Sequence, residues 1–138
     1  MDNKDLNELG YIIIGAALDI HKEVGSNLLE SYYEGAMAYE LSKRNISYQR
    51  QVLLPALYKG VEIRNAYRLD MVVENKIILE FKSVARLSGC ELTQLYTYLR
   101  LSNYHLGYLI NFSAKDFSPG KWGRNEFNPD KGIIRIVN

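Results

Sequence analysis

Apolar positions at the start of the chain recur at intervals of three and four: Leu6, Leu9, Ile12, Ile13, Ala16, Ala17, Ile20 and Val24. That period lays one apolar stripe along a helix and predicts an amphipathic helix over residues 5–24. Gly25-Ser26-Asn27 interrupts it. A second helix is expected over 28–44, carried by Leu29, Tyr33, Ala36, Met37, Glu40 and Leu41 and ended at Asn45. From Tyr48 the pattern changes to segments rich in β-branched and aromatic residues, over 48–57, 61–73 and 76–84. Lys59-Gly60 and Glu74-Asn75 separate them as hairpin turns, which predicts an antiparallel three-stranded meander. Helical spacing returns over 88–101 through Leu92, Leu95, Tyr96, Leu99 and Leu101, and an apolar strand over 105–112 follows. A strand placed after a helix is expected to rejoin the sheet by a crossover. Residues 113–131, rich in Gly, Pro, Asn and Lys, read as a loop, and 133–137 as a closing strand. With neither repeat nor linker, the expected fold is one α/β domain over 1–138: a central mixed sheet with an antiparallel meander, flanked by helices, its acidic site at the sheet's edge beside the second helix.

Composition narrows the class. Apolar residues are 47% and charged residues 24% of the 138, values of an ordinary globular chain. No apolar run approaches the roughly 20 residues that cross a bilayer. The opening Met1-Asp2-Asn3-Lys4-Asp5-Leu6 lacks the basic-then-apolar order of a signal peptide, so the expected location is the cytoplasm. One cysteine, Cys90, forms no internal disulfide, and two histidines, His21 and His105, cannot assemble a zinc cluster of usual spacing. The net charge of +1 means that any binding of nucleic acid must come from a local basic patch. The eleven tyrosines read mostly as core or rim residues with a wet hydroxyl.

The chemistry concentrates around the turn at Glu74-Asn75. If the hairpin is centred there, cross-strand pairs sum to about 150, which sets Asp70 opposite Glu80 or within one residue of it. Alternation along the strand then puts Lys82 on the same face as Glu80. Like charges facing across a hairpin are destabilising unless compensated, and a divalent cation is the natural compensation. Mg²⁺ takes hard oxygen ligands, commonly one or two carboxylates with waters and phosphate. Lys82 beside it could orient or deprotonate a water, or stabilise charge on a phosphoryl oxygen. The bland alternative is that Asp70 and Glu80 are exposed strand residues with Lys82 and Arg68 as surface ion-pair partners. The apolar run Ile77-Ile78-Leu79 before Glu80 argues for a buried strand, where an acid needs a partner.

The runs Tyr67-Arg68-Leu69-Asp70, Ile77-Ile78-Leu79-Glu80-Phe81-Lys82 and Gln94-Leu95-Tyr96-Thr97-Tyr98-Leu99 resemble the PD-(D/E)xK_3 family, also called GxxExxY proteins. Gly25-Ser26-Asn27-Leu28-Leu29-Glu30-Ser31-Tyr32-Tyr33 is similar to the name motif, with Asn27 where glycine is usual. Ile110-Asn111-Phe112 and the closing Ile134-Arg135-Ile136-Val137-Asn138 also match. The resemblance implies a restriction-endonuclease-like core, with Asp70 and Glu80 as metal ligands and Lys82 as catalytic lysine. It adds Glu30 as a further acid and metal ligand, and Gln94 as a site-facing helix residue of the catalytic set. It implies a Mg²⁺- or Mn²⁺-dependent nuclease acting on nucleic acid, DNA before RNA.

Other residues read in two ways. Asn27 to Glu30 has capping-box spacing, so Glu30 either caps the second helix or serves the site. Tyr33 reads as packing or as a hydrogen bond to the site, and Gln94 and Tyr98 as site face or polar edge. In the tail, Lys115, Lys121, Arg124 and Lys131 interleave with Phe117, Trp122 and Phe127, a grip for nucleic acid or a solvated loop anchored by Trp122. His21 reads as a packing residue and Cys90 as inert. Two functional alternatives remain: a nucleic-acid-binding or regulatory module without turnover, and an interaction subunit. A homodimer or protein partner is expected to supply specificity, and no membrane contact is expected.

Overall fold

The computed structural model describes residues 3–119 and 128–138. Three helices and six strands follow in the order α1 (Asn3–Val24), α2 (Glu30–Lys43), β1 (Tyr48–Tyr58), β2 (Val61–Val73), β3 (Ile77–Lys82), α3 (Gly89–Leu101), β4 (Leu106–Asn111), β5 (Asp116–Pro119) and β6 (Lys131–Val137). The strands form one sheet ordered β1-β2-β3-β4-β6-β5. The expected meander is there, β1 and β3 each antiparallel to β2. Both predicted turns take positive φ, at Lys59 and Gly60 and at Glu74 and Asn75, the backbone that matches a hairpin to strand twist. The expected crossover runs through α3 and brings β4 parallel to β3, with β6 antiparallel beyond it.

The two faces of the sheet carry separate cores. Ile13, Ala16, Ala17 and Ile20 of α1 and Tyr33, Met37 and Leu41 of α2 cover Met71, Val73, Ile77, Leu79 and Phe81. Leu95, Tyr98 and Leu99 of α3 cover Leu69, Val72, Ile78 and Leu109 on the other face. β3 is buried on both faces, Ile77 and Leu79 one way and Ile78 the other. This is why its sequence is a continuous apolar run rather than an alternation.

Three expectations need correction. α2 begins at Glu30, not Leu28: Asn27 turns through φ 69, and extended Leu29 is the N-cap without a side-chain cap, so the capping box of Asn27 and Glu30 does not form. The cause is Tyr33, whose hydroxyl donates to Gly25 O at 2.6 Å and accepts from Leu28 N at 3.3 Å, holding that stretch out of the helix. The tail is not all loop. Residues 116–119 pair parallel to β6 because Phe117 is anchored inside, stacked on Phe112 at 5.1 Å and on His21 at 4.3 Å. Phe117 is therefore no free base-stacking residue, and Lys131 is tied to Asp116 at 2.6 Å. Of the remaining tail residues singled out, Lys121, Trp122, Arg124 and Phe127 lie outside the described residues. Third, the acid pair lies between two interior strands of the sheet, not at its edge. No described helix is long and apolar enough to cross a membrane.

Candidate active site

β2 and β3 pair through Met71 with Leu79, Val72 with Ile78 and Val73 with Ile77. One step further in this register Asp70 stands opposite Glu80, and there the ladder stops. On the other flank β1 pairs Arg50 with Met71 and Val52 with Leu69, passing over Gln51 and Asp70 together, and Gln51 takes φ 52. The side-chain alternation resets at this point. Leu69 and Val72, three apart, both face α3, while Met71 and Val73 face α1 and α2. Asp70 thus occupies a kink from which both neighbouring ladders are absent.

The side chains of the acids take over the ladder's work. The main-chain N–H of Asp70 donates to Glu80 Oε1 at 3.1 Å, and that of Phe81 donates to Asp70 Oδ2 at 2.9 Å. Each strand end is held by the other's carboxyl, which satisfies two amides that would otherwise be orphaned. The arrangement has an electrostatic cost. Glu80 is only 4% exposed, and its burial, reinforced by the charge of Asp70, raises its pKa to about 9. Lys82 lowers it, as the least of these influences.

Glu80 and Lys82 alternate with Phe81, which faces α1 and α2, so both project to the α3 side. There Tyr98 is buried, edge-on to Tyr67 at 5.7 Å. Its hydroxyl stays neutral: burial, then the charges of Glu80 and Asp70, push its pKa up to about 12. Gln94 lies one helical turn earlier and is exposed. At the N-terminus of α3, a true capping box joins Ser88 and Glu91. Asp70 also opens toward α2, into a cleft of roughly 490 Å³ lined with Glu30, Ser31, Glu34 and Gln51. Glu34, buried, accepts from Arg50 Nε at 2.9 Å and from Gln51 Nε2 at 2.6 Å.

Hydrogen bonds fix the elements that meet here. Ser83 Oγ donates to Leu28 O at 2.5 Å and lies 2.8 Å from Ser113 Oγ, which accepts from Asn27 N at 2.9 Å. The start of α2 is so stitched to the ends of β3 and β4. Fully buried Asn111 clamps the segment after Lys82, accepting from Val84 N at 3.0 Å and donating to Val84 O at 2.9 Å.

The structure brings Asp70 and Glu80 together, as expected, and rejects the surface ion-pair alternative: neither acid has an ion pair among the described residues. Glu30 stands on the wall of the cleft. Among the described residues no three His, Cys, Asp or Glu side chains group closely enough to hold one ion. Tyr33 and His21 serve packing and the 25–28 turn, His21 Nε2 lying 3.3 Å from Ser26 Oγ. Cys90 is exposed, with its amide on the Ser88 cap. Sequence reasoning missed Glu34, Arg50 and Gln51. The signals were a second acid one turn after Glu30 and the polar run Gln49-Arg50-Gln51 at the start of β1.

Acids on adjacent strands at a kink, a lysine two residues on, and a helix-borne acid across a cleft define a nuclease-like α/β protein. The family model described as the PD-(D/E)XK nuclease superfamily matches residues 7–122, and the chain belongs to that family. No curated protein and no solved structure matches the chain.

Members of this superfamily generally use divalent metals, and the residues present fit such an ion. Two carboxyls face each other across the kink, one of them buried, and Asp70 shares its cleft with Glu30, while Glu34 there is already engaged by Arg50 and Gln51. That is the hard-oxygen donor set, short of a full shell, that Mg²⁺ accepts when phosphate and water complete it.

Proposed function

We propose that the protein hydrolyses phosphodiester bonds in nucleic acid, DNA in preference to RNA, with Mg²⁺ or Mn²⁺ held by Asp70 and Glu80. The observation that carries this reading is the burial of Glu80 against Asp70, an arrangement unfavourable by itself and favourable around a dication. Bound there, the ion would supply the charge that acidifies a water and offsets the negative charge developing at phosphorus. Glu30, across the cleft from Asp70, would supply a further oxygen to the ion or its waters. Lys82 serves as the proton acceptor or hydrogen-bond partner of the attacking water, beside Glu80 and not on the metal. Tyr98 keeps a neutral hydroxyl near both acids, and Gln94, one turn earlier, orients substrate at the mouth of the site.

The test is cleavage of labelled single- and double-stranded DNA and RNA by the purified protein with Mg²⁺, Mn²⁺ or EDTA, beside Glu80→Gln and Lys82→Met. Cleavage that needs the metal and disappears in both variants is expected. Folded protein that binds metal and DNA and cleaves no substrate would replace this reading with a binding module without turnover.

A further inference from the structure

β2 pairs with β3 over residues 71–73, and among the described residues its earlier part pairs with β1 alone. Residues 52–69 form a two-stranded ribbon, roughly 20 Å long at 3.3 Å per residue, that starts at the kink of Gln51 and Asp70; its base, Val52, Leu54, Tyr67 and Leu69, packs on α3, and its far half, residues 57–65, is exposed. Its charge is unlike that of the rest of the chain. Lys59, Arg64 and Arg68 stand against Glu62 alone, a net of +2 in a protein of net +1. All three cations are exposed. Arg64 and Arg68 make no ion pair among the described residues. Alternation from Leu69 puts Arg68, paired with Leu53, on the sheet face away from α3, where Asp70 opens into the cleft. The tip is apolar: Leu57, Tyr58, Val61 and Ile63 are between 45% and 75% exposed. Tyr58 and Val61, directly paired, share a face with Ile63, and Lys59 Nζ lies 5.5 Å from the centroid of the Tyr58 ring.

We infer that this ribbon is the arm that grips nucleic acid, laying its basic side chains along phosphates and its apolar tip into a groove of a duplex whose backbone enters the acidic cleft. The inference rests on the phosphodiesterase reading for what happens at the cleft, and on the ribbon alone for binding. A two-stranded ribbon fits the major groove, and apolar tips wedge between bases in the minor groove. Charge complementarity favours a polyanion. Strand addition by a second copy is disfavoured, because the ribbon's edges are broken by Gln51 at positive φ, by Pro55, and by the irregularity after Leu54 with Asn65 at φ 57. Arg68, two residues from Asp70, brings one of these cations toward a cleft lined by Glu30, Glu34 and Asp70.

The experiment is fluorescence anisotropy of a labelled random-sequence DNA duplex in EDTA, across salt concentrations, for the protein and for Arg64→Ala/Arg68→Ala and Tyr58→Ser/Val61→Ser. The arginine variant is expected to bind at least tenfold more weakly, with a salt slope shallower by about two, because each arginine neutralises about one phosphate. The tip variant is expected to weaken binding without changing that slope. Both should melt as the parent does and keep its hydrolysis of a small chromogenic phosphodiester. Unchanged affinity and slope in both variants would overturn the inference while leaving the hydrolase reading intact. A parent dimer that the tip variant converts to monomer at unchanged DNA affinity would overturn it in favour of a second copy. Weakened binding in a protein that cleaves no phosphodiester would keep the arm and remove the catalysis.

Discussion

Asp70 and Glu80 hold the separating ends of β2 and β3 by reciprocal exchange: the Asp70 amide donates to Glu80 Oε1 at 3.1 Å, and Asp70 Oδ2 accepts from the Phe81 amide at 2.9 Å. The same two side chains therefore build the kink and place the charge. Glu80→Gln separates those roles, since an amide oxygen still accepts from Asp70 N. In metal-free protein at pH 8 the variant is expected to be more stable by about 1–3 kcal/mol, because a buried acid facing another carries an uncompensated cost. Thermal melts of both proteins in EDTA check this, and a less stable variant would contradict the electrostatic account.

The raised pKa of Glu80 gives stability a pH dependence. The folded value is about 9 against an ordinary 4.5. Below the ordinary value the carboxyl is protonated in both states and its contribution to stability is whole. Between the two values the unfolded chain releases a proton that the folded protein keeps, so stability falls as pH rises, by at most about 1.4 kcal/mol per unit. Above the folded value the contribution is gone. On the proposed function Mg²⁺ at Glu80 would displace that proton, so its affinity should climb with pH over the same window. Urea midpoints across pH, with EDTA and with Mg²⁺, read both trends; Glu80→Gln should flatten the first.

Lys82→Met keeps the length of the side chain and removes the amine. Lys82 influences Glu80 least among the neighbours that move its pKa, so folding and metal affinity should barely change. Turnover should fall by about 10²–10⁴, the range for loss of a general acid or base. Steady-state kinetics with isothermal titration of Mn²⁺ distinguish the two effects. A variant that lost metal and turnover together would make Lys82 a part of the ion's site.

Asn111→Ala tests the clamp on the strand that carries Lys82. Asn111 is fully buried and bonds both main-chain groups of Val84, so truncation strands a buried donor and acceptor and should cost about 2–4 kcal/mol. Turnover should fall more than the unfolded fraction explains, because Val84, two residues after Lys82, loses its tie to β4. Denaturant titration beside kinetics at saturating metal measures both; a loss of stability under about half a kcal/mol would show that water replaces the amide.

Much of this was legible before any coordinates. The turn at Glu74-Asn75 and the alternation of β3 were enough to set Asp70 against Glu80 and Lys82 beside it, because a short hairpin has only one register that keeps Ile77, Leu79 and Phe81 on a common core. The order of β3, α3 and β4 likewise made a parallel crossover the natural connection. What escaped was whatever depended on distant partners. Glu34 meets Arg50 and Gln51 across sixteen and seventeen residues of chain, which no local pattern shows. β5 owes its existence to one side chain, Phe117, finding Phe112 and His21. α2 starts two residues later than its pattern predicts because a reach from Tyr33 to Gly25 outweighs the helix propensity of two leucines.

The reciprocal bonds of Asp70 and Glu80 have a consequence for descent. Both are made by oxygens that asparagine and glutamine also possess, so the two acids can mutate to their amides without moving a main-chain atom. The proposed chemistry and the architecture rest on the same residues yet can be lost separately. Lineages of this fold can thus fall silent with their backbones unaltered, and in tracing them the identity of two side-chain atoms says more about activity than any superposition.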